Sequence, residues 1–355
     1  MQVGTARERI EVAVVGASGT TGGELIRLLS GHPDVTVSFL GARDSAGKTL
    51  AEVHPHLASS PTAGEVLQPV DVAAIAARAR AAFLALPHGA SAEVVPALID
   101  AGVRVVDLGG DFRLAADAYP QWYGFTHPAP EWLAKAVYGL PELFGGQIGG
   151  AELVANPGCY PTPVIIGLSP LISAGLVDVS AIRVDGKTGL SGAGKTLTEG
   201  TSYLATEESV RPYRVPLHQH TPEMERGIEL ATGTATTVLF VPHLVPTVRG
   251  VLITAYATVE EGVTTQRLTE CLASAYADAP FVRVLEAGSM ADTKRTRGSN
   301  MVELQALADP RTGTAVIVGA VDNLVKGAAG QAIQNFNLVH GFRETAGLPT
   351  LGVYP

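Results

Sequence analysis

Cys159 lies in the segment NPGCYPT, directly before an apolar stretch with the periodicity of a helix. A thiol on such a turn is close to the positive end of the helix and to its free N–H groups, which lower the pKa of a cysteine toward the thiolate. Cys159 is therefore a candidate nucleophile, although a lone cysteine is more often a small buried hydrophobic residue. Cys271 fits that structural role, because Leu268, Cys271 and Leu272 fall on one helical face.

Two histidines, His218 and His220, flank Gln219 in the segment HQHTPE. Residues two apart on an extended segment point the same way, so both imidazoles can face one pocket. Thr221 and Pro222 fit an N-cap and a first helical residue, which predicts a strand-to-helix junction here. One histidine is a candidate general acid/base for the thiol. A zinc site is the rival interpretation, but no Cys or His partners at ligand spacing accompany the pair, and we predict no metal.

A glycine-rich turn with the spacing GxxGxxG joins a predicted strand to a predicted helix near the start of the chain. Such a turn lets backbone N–H groups and the helix N-terminus face a pyrophosphate. We expect it to bind a dinucleotide cofactor through Gly16, Ser18, Gly19, Thr20, Thr21 and Gly22.

The choice between NADP and NAD is expected about 20 residues further on, after the second strand. Arg43, Asp44 and Ser45 stand there. An arginine accepts the 2'-phosphate of NADP, whereas an acid binds the ribose hydroxyls of NAD. Arg43 and Ser45 favour NADP(H), and Asp44 leaves NAD open.

The segment GLSGAGKT, residues 189–196, matches the phosphate-binding P-loop pattern and follows a strand-like stretch. An ATPase that uses Lys195 is therefore an alternative from another functional class. A Walker-B aspartate is hard to find downstream, and the following LTEGTSYLATEE makes a poor buried helix. A glycine loop over a bound nicotinamide, through Ser191 and Gly192, suits the stretch better.

The hydrophobic pattern predicts the elements that position these residues. Strand and helix patterns alternate from Ile10 to about residue 155, which predicts an α/β Rossmann-type doubly wound parallel sheet. Longer strands follow, typical of an α+β domain with a mixed or antiparallel sheet. Two domains also suit the length of 355 residues.

Composition narrows the class of protein. The formal net charge of -9 argues against a general nucleic-acid surface. No stretch reaches the roughly 20 apolar residues of a membrane span. The N-terminal segment lacks the pattern of a signal peptide, and two cysteines cannot build a disulfide framework, so we expect a cytoplasmic location.

Taken in order, the motifs resemble those of the N-acetyl-gamma-glutamyl-phosphate reductases, relatives of the aspartate-semialdehyde dehydrogenases: VVGASGTTGGEL, FLALPHG, DLGGDFRL, YGLPEL, NPGCYPT, SGAGK, HQHTPE and DNLVKGAAGQAIQ. The resemblance runs from about Val12 to the C-terminus. It implies NADPH-dependent reduction of an acyl phosphate to an aldehyde and phosphate, through a thioester on Cys159. By position, His220 would be the acid/base and His218 would bind substrate. Gln219 departs from the family, which often has a basic residue between the histidines.

The resemblance also implies a division of the chain and an assembly. Residues 1–155 would bind NADP, residues 156–325 would form the catalytic and dimerisation domain, and residues 322–355 would carry a C-terminal helix and tail back to the first domain. That helix would place Asn323 and Lys326 near the cofactor. The family's habit predicts a homodimer or homotetramer.

The phosphate and carboxylate of such a substrate need anion anchors, for which a bidentate guanidinium is suited. Arg113 is the first candidate, followed by Arg211, Arg214 and Arg249. The sequence leaves three other activities open. These are reduction of the aminoadipyl homologue, free or on a small acidic carrier protein, reduction of aspartyl phosphate, and NADP sensing without catalysis. One methylene in a shaped pocket discriminates by only about 1 to 3 kcal/mol.

Overall fold

The computed structural model describes residues 9–195 and 198–355. Residues 1–8, which belong to the segment considered for a targeting signal, and Thr196 of the P-loop-like segment lie outside the described residues. Within the described ranges, no helix has both the length and the apolar character needed to cross a membrane.

The first half of the chain forms a sheet of six parallel strands. The strands are β1 Ile10–Val15, β2 Val35–Gly41, β3 Ala81–Leu84, β4 Arg104–Asp107, β5 Val137–Tyr138 and β6 Leu153–Ala155. Their order is β2-β1-β3-β4-β6-β5, and every pairing is parallel. The order reverses direction at β1 and β3, which is where an open parallel sheet of this type leaves a crevice for ligands.

Helices cover both faces of this sheet. They are α1 Thr20–Leu29, α2 Leu50–Val53, α3 Val72–Ala76, α4 Ala90–Asp100, α5 Tyr119–Trp122 and α6 Pro141–Ile148. Alternate residues of β1 point to opposite faces, so Val12 and Val14 join the core with α1, while Ala13 and Val15 join a second core with α4. Burial on both faces explains the continuous apolar runs in these strands.

The second half forms a mixed sheet of seven strands. They are β7 Ile182–Thr188, β8 Arg211–Pro212, β9 Val238–Leu244, β10 Val251–Thr258, β11 Val282–Val284, β12 Val302–Asp309 and β13 Thr314–Val321. The order is β11-β12-β13-β10-β7-β9-β8, with β7 parallel to β9, β11 parallel to β12 and the other pairs antiparallel. This architecture confirms the predicted fold class.

The remaining helices are α7 Pro161–Ser173, α8 Tyr203–Thr206, α9 His220–Thr232, α10 Thr265–Ala275, α11 Thr293–Thr296 and α12 Gly330–Val339, with a π-helix at Val325–Ala329 before α12. Helix α7 packs on β12, β13 and β10 and is buried on almost all sides, which is why its sequence is apolar throughout. Helix α12 packs against α1, β4 and α6, so the C-terminal helix lies on the first sheet.

Candidate active site

Cys159 lies on the short connection between β6 and α7, at the carboxyl edge of the first sheet. Asn156 fixes this connection, since its side chain donates to the carbonyl of Ala328 and accepts a hydrogen bond from Asn335 at 2.9 Å. Gly327 of the π-helix packs directly on the cysteine: a Cβ at that position would lie 2.7 Å from the Cβ of Cys159. The nucleophile is therefore held between the first sheet and the C-terminal segment.

Glu223, three residues after His220 on α9, is fully buried beneath the cysteine connection. Its carboxylate accepts hydrogen bonds from the backbone N–H of Gly158 at 2.7 Å, the hydroxyl of Tyr138 at 3.0 Å and the guanidinium of Arg113 at 3.1 Å. Sequence reasoning missed this residue. The available signal was an acidic side chain one helical turn from a candidate catalytic histidine.

The structure brings His218 and His220 together with the cysteine connection. Helix α9 begins at His220, two residues before the predicted start, because Gln219 rather than Thr221 occupies the N-cap. The Nε2 atom of His220 lies against Gly158, where an added Cβ would approach it to 2.4 Å. The Nδ1 atom of His218 accepts a hydrogen bond from the backbone N–H of His220 at 3.1 Å. The two imidazole centroids are 4.8 Å apart.

The expectation that the helix lowers the pKa of Cys159 is wrong for this conformation. Burial raises the pKa of the Cys159 thiol to about 11, although the charge of Arg113 and the backbone N–H groups at 159 and 160 act in the opposite direction. The turn supplies favourable donors, but removal of water from the thiolate outweighs them. The resting residue is therefore a neutral thiol.

Burial also favours the neutral forms of the two histidines. It lowers the pKa of His220 well below its usual value, helped by the positive charges of Arg113 and Arg214, and lowers the pKa of His218 to about 3. Both imidazoles are therefore neutral at pH 7. Because Nδ1 of His218 is an acceptor, the proton of this ring is on Nε2. A neutral His220 can accept a proton from a neutral thiol.

Arg113 lies inside the site, where 5% of the residue is exposed. Besides its ion pair with Glu223, it donates to the carbonyl of Leu108 at 2.9 Å, and its Nε has no partner. The Tyr123 hydroxyl and Nδ1 of His220 are also buried polar atoms without a partner in the described part of the chain. Such atoms are uncommon in folded proteins and indicate where a bound group completes the hydrogen bonding.

The other arginines have different surroundings. Arg249 makes a bidentate ion pair with Glu24 of α1 and reaches Asp322 at 3.4 Å, so the structure corrects its predicted role in substrate binding to one of joining the two sheets. Burial opposes the charge of Glu24, but the hydrogen bonds of Arg249 and Arg27 outweigh it and lower the pKa of Glu24 to about 2.

Arg211 and Arg214 belong to the segment that precedes the histidines. Arg211 donates to the carbonyl of Gly200. Arg214 donates to the side-chain oxygen of Gln219 at 2.6 Å and has a positive φ of 49°, which is uncommon for a residue with a side chain and typical of functional segments. Burial lowers the pKa of His218, and the positive charge of Arg214 acts in the same direction.

The glycine turn between β1 and α1 fits the pyrophosphate of a dinucleotide. Gly16 has a φ of +89°, and a Cβ on Gly22 would lie 2.2 Å from the carbonyl oxygen of Gly16, so the turn closes tightly only with glycine. Gly19 offers no side-chain cap to α1, and the first turn, which begins with Thr20 and Thr21, contains no acidic residue. The positive end of the helix is therefore left to a ligand.

Arg43 and Ser45 follow β2 directly beside this turn. The backbone N–H groups of Gly16 and Ala17 both donate to the carbonyl of Gly41, two residues before Arg43. Arg43 is exposed and Ser45 is half-buried. Both predicted residues are thus at the edge of the crevice.

The described residues of the P-loop-like segment, 189–195, do not have the form of a P-loop. After β7 the chain turns through a short 3-10 helix, residues 190–193, whereas a P-loop leads into a long α-helix that holds the phosphates. Ser191 accepts a hydrogen bond from the side-chain nitrogen of Asn323 at 2.9 Å, and Gly192 lies against the same amide. Asn323 also accepts from the backbone N–H of Gly250. Three predicted cofactor residues, Ser191, Gly192 and Asn323, are thus in one cluster.

Lys326 is the predicted cofactor residue that the structure places elsewhere. Its ammonium is fully buried, forms an ion pair with Glu142 of α6 and donates to Gln334 at 2.7 Å. Its side chain therefore points into the protein, toward α6 and α12. Its role is corrected to a buried ion pair that fixes the π-helix behind Cys159.

Comparisons with known proteins agree with this arrangement. Family models match residues 11–151, described as semialdehyde dehydrogenase, NAD binding domain, and residues 159–323, described as semialdehyde dehydrogenase, dimerisation domain. The chain is 46% identical to the N-acetyl-gamma-glutamyl-phosphate reductase of Magnetococcus marinus, over 98% of this chain and 99% of the relative. It is 45% identical to the protein of that name from Pelobacter propionicus, over 98% of this chain and 100% of the relative.

Solved structures share the fold. Aspartate semialdehyde dehydrogenase II from Vibrio cholerae superimposes with a TM-score of 0.72 at 18% identity, covering 93% of this chain and 98% of the other. The Candida albicans aspartate semialdehyde dehydrogenase, whose structure contains NADP, gives a TM-score of 0.68 at 17% identity with the same coverage. At these identities the likeness concerns the fold.

The raised pKa of Cys159 predicts how the free thiol reacts. In a Cys271→Ala background, the rate of alkylation by iodoacetamide should rise about tenfold per pH unit from pH 7 to 10, because only the thiolate attacks and the thiol titrates at about 11. Mass spectrometry follows the modification, with Cys159→Ser in the same background as the blank. A rate that levels off below pH 8 would show that the helix end lowers the pKa after all.

Proposed function

The chain belongs to the family of N-acetyl-gamma-glutamyl-phosphate reductases, and we propose that it works through a thioester on Cys159, with His220 moving the protons. The reaction is the reduction of N-acetyl-gamma-glutamyl phosphate to N-acetylglutamate 5-semialdehyde and phosphate, a step of arginine biosynthesis that uses a nicotinamide cofactor. The main observation for the proposed mechanism is the neutral, half-buried His220, which packs against Gly158 next to the neutral thiol of Cys159.

The first step joins substrate and enzyme. His220 takes the proton of the Cys159 thiol as the sulfur attacks the acyl carbon. The carbon–sulfur bond forms, the bond from carbon to the phosphate oxygen breaks, and phosphate leaves with that electron pair. Proton transfer accompanies the attack because burial disfavours a free thiolate in this site, and the imidazolium formed on His220 is used in the next step.

The second step reduces the thioester. A bound nicotinamide cofactor supplies the hydride. The protonated His220 then gives its proton to the carbonyl oxygen, which yields a thiohemiacetal on Cys159. His220 takes that proton back as the carbon–sulfur bond breaks and the aldehyde leaves, and it then passes the same proton to the sulfur, which restores the neutral imidazole and the neutral thiol. His218, with its proton on Nε2, is suited to donate a hydrogen bond to the developing oxyanion.

Two arginines are proposed to hold the ends of the substrate. Arg113, with its unpartnered Nε close to the unpartnered hydroxyl of Tyr123, suits the phosphate that leaves. Arg214 donates to the neutral side chain of Gln219 and forms no ion pair within residues 9–195 and 198–355, so it suits the α-carboxylate. Glu223 already neutralises part of the charge of Arg113, so this residue can recognise phosphate and still let it depart.

NADP is the proposed cofactor, with Arg43 and Ser45 holding the 2'-phosphate and the turn from Gly16 to Gly22 holding the pyrophosphate. The exposure of Arg43 beside the turn supports this choice. A homodimer or homotetramer stays a prediction, supported by the description of the second matched region as a dimerisation domain. A cytoplasmic location is inferred because the nucleophilic thiol must stay reduced.

The function is tested in the reverse direction. With NADP, phosphate and N-acetylglutamate semialdehyde, the wild-type protein should form NADPH, measured by absorbance. Cys159→Ser should reduce phosphate-dependent turnover to below about 0.1% of wild type, because a serine hydroxyl cannot form the thioester. Cys271→Ala, which removes the other thiol, should retain activity. Turnover of only the aminoadipyl or aspartyl aldehyde would reject the substrate, and cofactor binding without any turnover would indicate a sensor.

The roles of Arg113 and Arg214 are distinguished by measuring, in the same assay, the Michaelis constants for the aldehyde and for phosphate. Arg214→Met should raise KM for the aldehyde about 10- to 100-fold, the loss of one charge-assisted contact, and leave KM for phosphate unchanged. Arg113→Lys keeps the charge beside Glu223 and should raise KM for phosphate instead. Arg211→Met is the matched comparison. An effect of Arg211→Met on the aldehyde, with none from Arg214→Met, would move the carboxylate site to Arg211.

Cofactor preference tests Arg43. Arg43→Ala should raise KM for NADP about tenfold, because an exposed ion pair with the 2'-phosphate is lost, and should leave KM for NAD within twofold. Asp44→Ala removes the neighbouring charge as a control and should not weaken NADP. If Asp44→Ala instead abolishes the use of NAD while Arg43→Ala changes neither cofactor, NAD is the physiological partner.

A further inference from the structure

Lys195, at the end of the P-loop-like segment, reaches from the second sheet to the glycine turn of the first. Its Nζ donates to the carbonyl oxygen of Ser18 at 2.8 Å, across 177 residues of sequence. Ser18 is in the middle of the turn between β1 and α1. The ammonium of Lys195 is thus placed directly at the predicted pyrophosphate site.

Among the described residues, the ammonium of Lys195 has no negatively charged partner. Its second neighbour is Nδ1 of His54 at 3.5 Å, a ring whose pKa burial lowers, so that it is neutral. Burial also lowers the pKa of Lys195, and no carboxylate in the described part of the chain acts against this shift. The chain has more acidic than basic residues, so the lack of a partner is a local feature.

The turn opposite Lys195 is itself electropositive. Helix α1 begins after Gly19 without a side-chain cap and without an acidic residue in its first turn. Two positive groups, an ammonium and a helix N-terminus, are therefore close to each other, and an anion between them would be attracted by both. The pyrophosphate of a nicotinamide dinucleotide has that charge.

Hydrogen bonds hold the base of the segment that bears Lys195. Gly189 donates to the carbonyl of Gly250 at 2.9 Å, and Asn323 bonds to both Ser191 and Gly250, so the base of the segment is tied to the β9–β10 connection. Arg249, in that connection, is paired with Glu24 of α1. These contacts hold the segment over the turn, and Gly194, with a φ of +81°, turns the chain immediately before Lys195.

We propose that Lys195 is a cofactor-binding residue that the second sheet contributes to the pyrophosphate site of the first. Without cofactor its ammonium donates a hydrogen bond to the carbonyl oxygen of Ser18. With cofactor the ammonium binds a pyrophosphate oxygen, which closes the glycine segment over the dinucleotide. The inference rests on the proposed use of a nicotinamide dinucleotide. This role also explains the P-loop-like motif. Its lysine binds a phosphate group because the fold brings it to the glycine turn of the first sheet, and not because the segment is a P-loop.

Equilibrium binding tests the proposal independently of turnover. Dissociation constants are measured by calorimetry for NADP, for NAD, which lacks the 2'-phosphate, and for 2'-AMP, which lacks the pyrophosphate. Lys195→Met should raise the constants for NADP and NAD about tenfold and change that for 2'-AMP less than twofold, because only the first two contain the contacted group. Lys195→Arg should retain most of the affinity.

The matched control is Lys187→Met, which removes the same charge from β7, eight residues earlier, and should leave all three constants unchanged. Thermal unfolding of each variant checks that the fold is intact. Equal affinities of wild type and Lys195→Met for NADP and NAD would overturn the proposal, as would a loss confined to NADP and 2'-AMP, which would place Lys195 at the 2'-phosphate. If Lys195→Met weakens the binding of NADP and NAD as expected but the wild-type protein shows no turnover, the reductase function is rejected and the role of Lys195 in binding the pyrophosphate still holds.

Discussion

The buried carboxylate of Glu223 is the interaction on which the site depends. Its carboxylate bonds to the cysteine connection through Gly158, to the first sheet's loop through Arg113 and to strand β5 through Tyr138. A carboxylate removed from water is stable only with such partners, and removal of one partner from a buried ion pair costs about 3 to 5 kcal/mol. The position of Cys159 relative to the histidines and to Arg113 is therefore set by charge balance as much as by packing.

Removal of water determines the chemistry of the same site. It raises the pKa of Cys159 and lowers the pKa of His218 and His220, so all three rest in their neutral forms. The resting site therefore differs from one in which the cysteine and histidine form a thiolate–imidazolium ion pair before substrate binds. The neutral state protects the thiol from indiscriminate reaction, and the charges develop only when a substrate with an electrophilic carbon is present to receive the sulfur.

Ion pairs between distant segments hold the two sheets in the geometry that this chemistry needs. Arg249 joins the β9–β10 connection to Glu24 on α1, beside the glycine turn, and Lys326 joins the π-helix behind Cys159 to Glu142 on α6. Each pair is partly or fully buried and each links residues more than 180 positions apart. The crevice between the sheets is consequently a fixed place where cofactor and nucleophile can meet.

The sequence by itself determined the fold class and the residues of the short motifs. Alternating strand and helix patterns act over a few residues, and so do a glycine turn, a cysteine before a helix and a pair of histidines. Only the tertiary structure decided which side chains are buried and paired. Glu223 is 110 residues from Arg113 and 65 from Gly158, so no local pattern could join them. For the same reason the helix rule gave the wrong direction for the pKa of Cys159. Arg249 and Lys326 were expected at ligands, but in the folded chain each is paired with a carboxylate. Desolvation and charge pairing depend on neighbours that only the folded chain supplies.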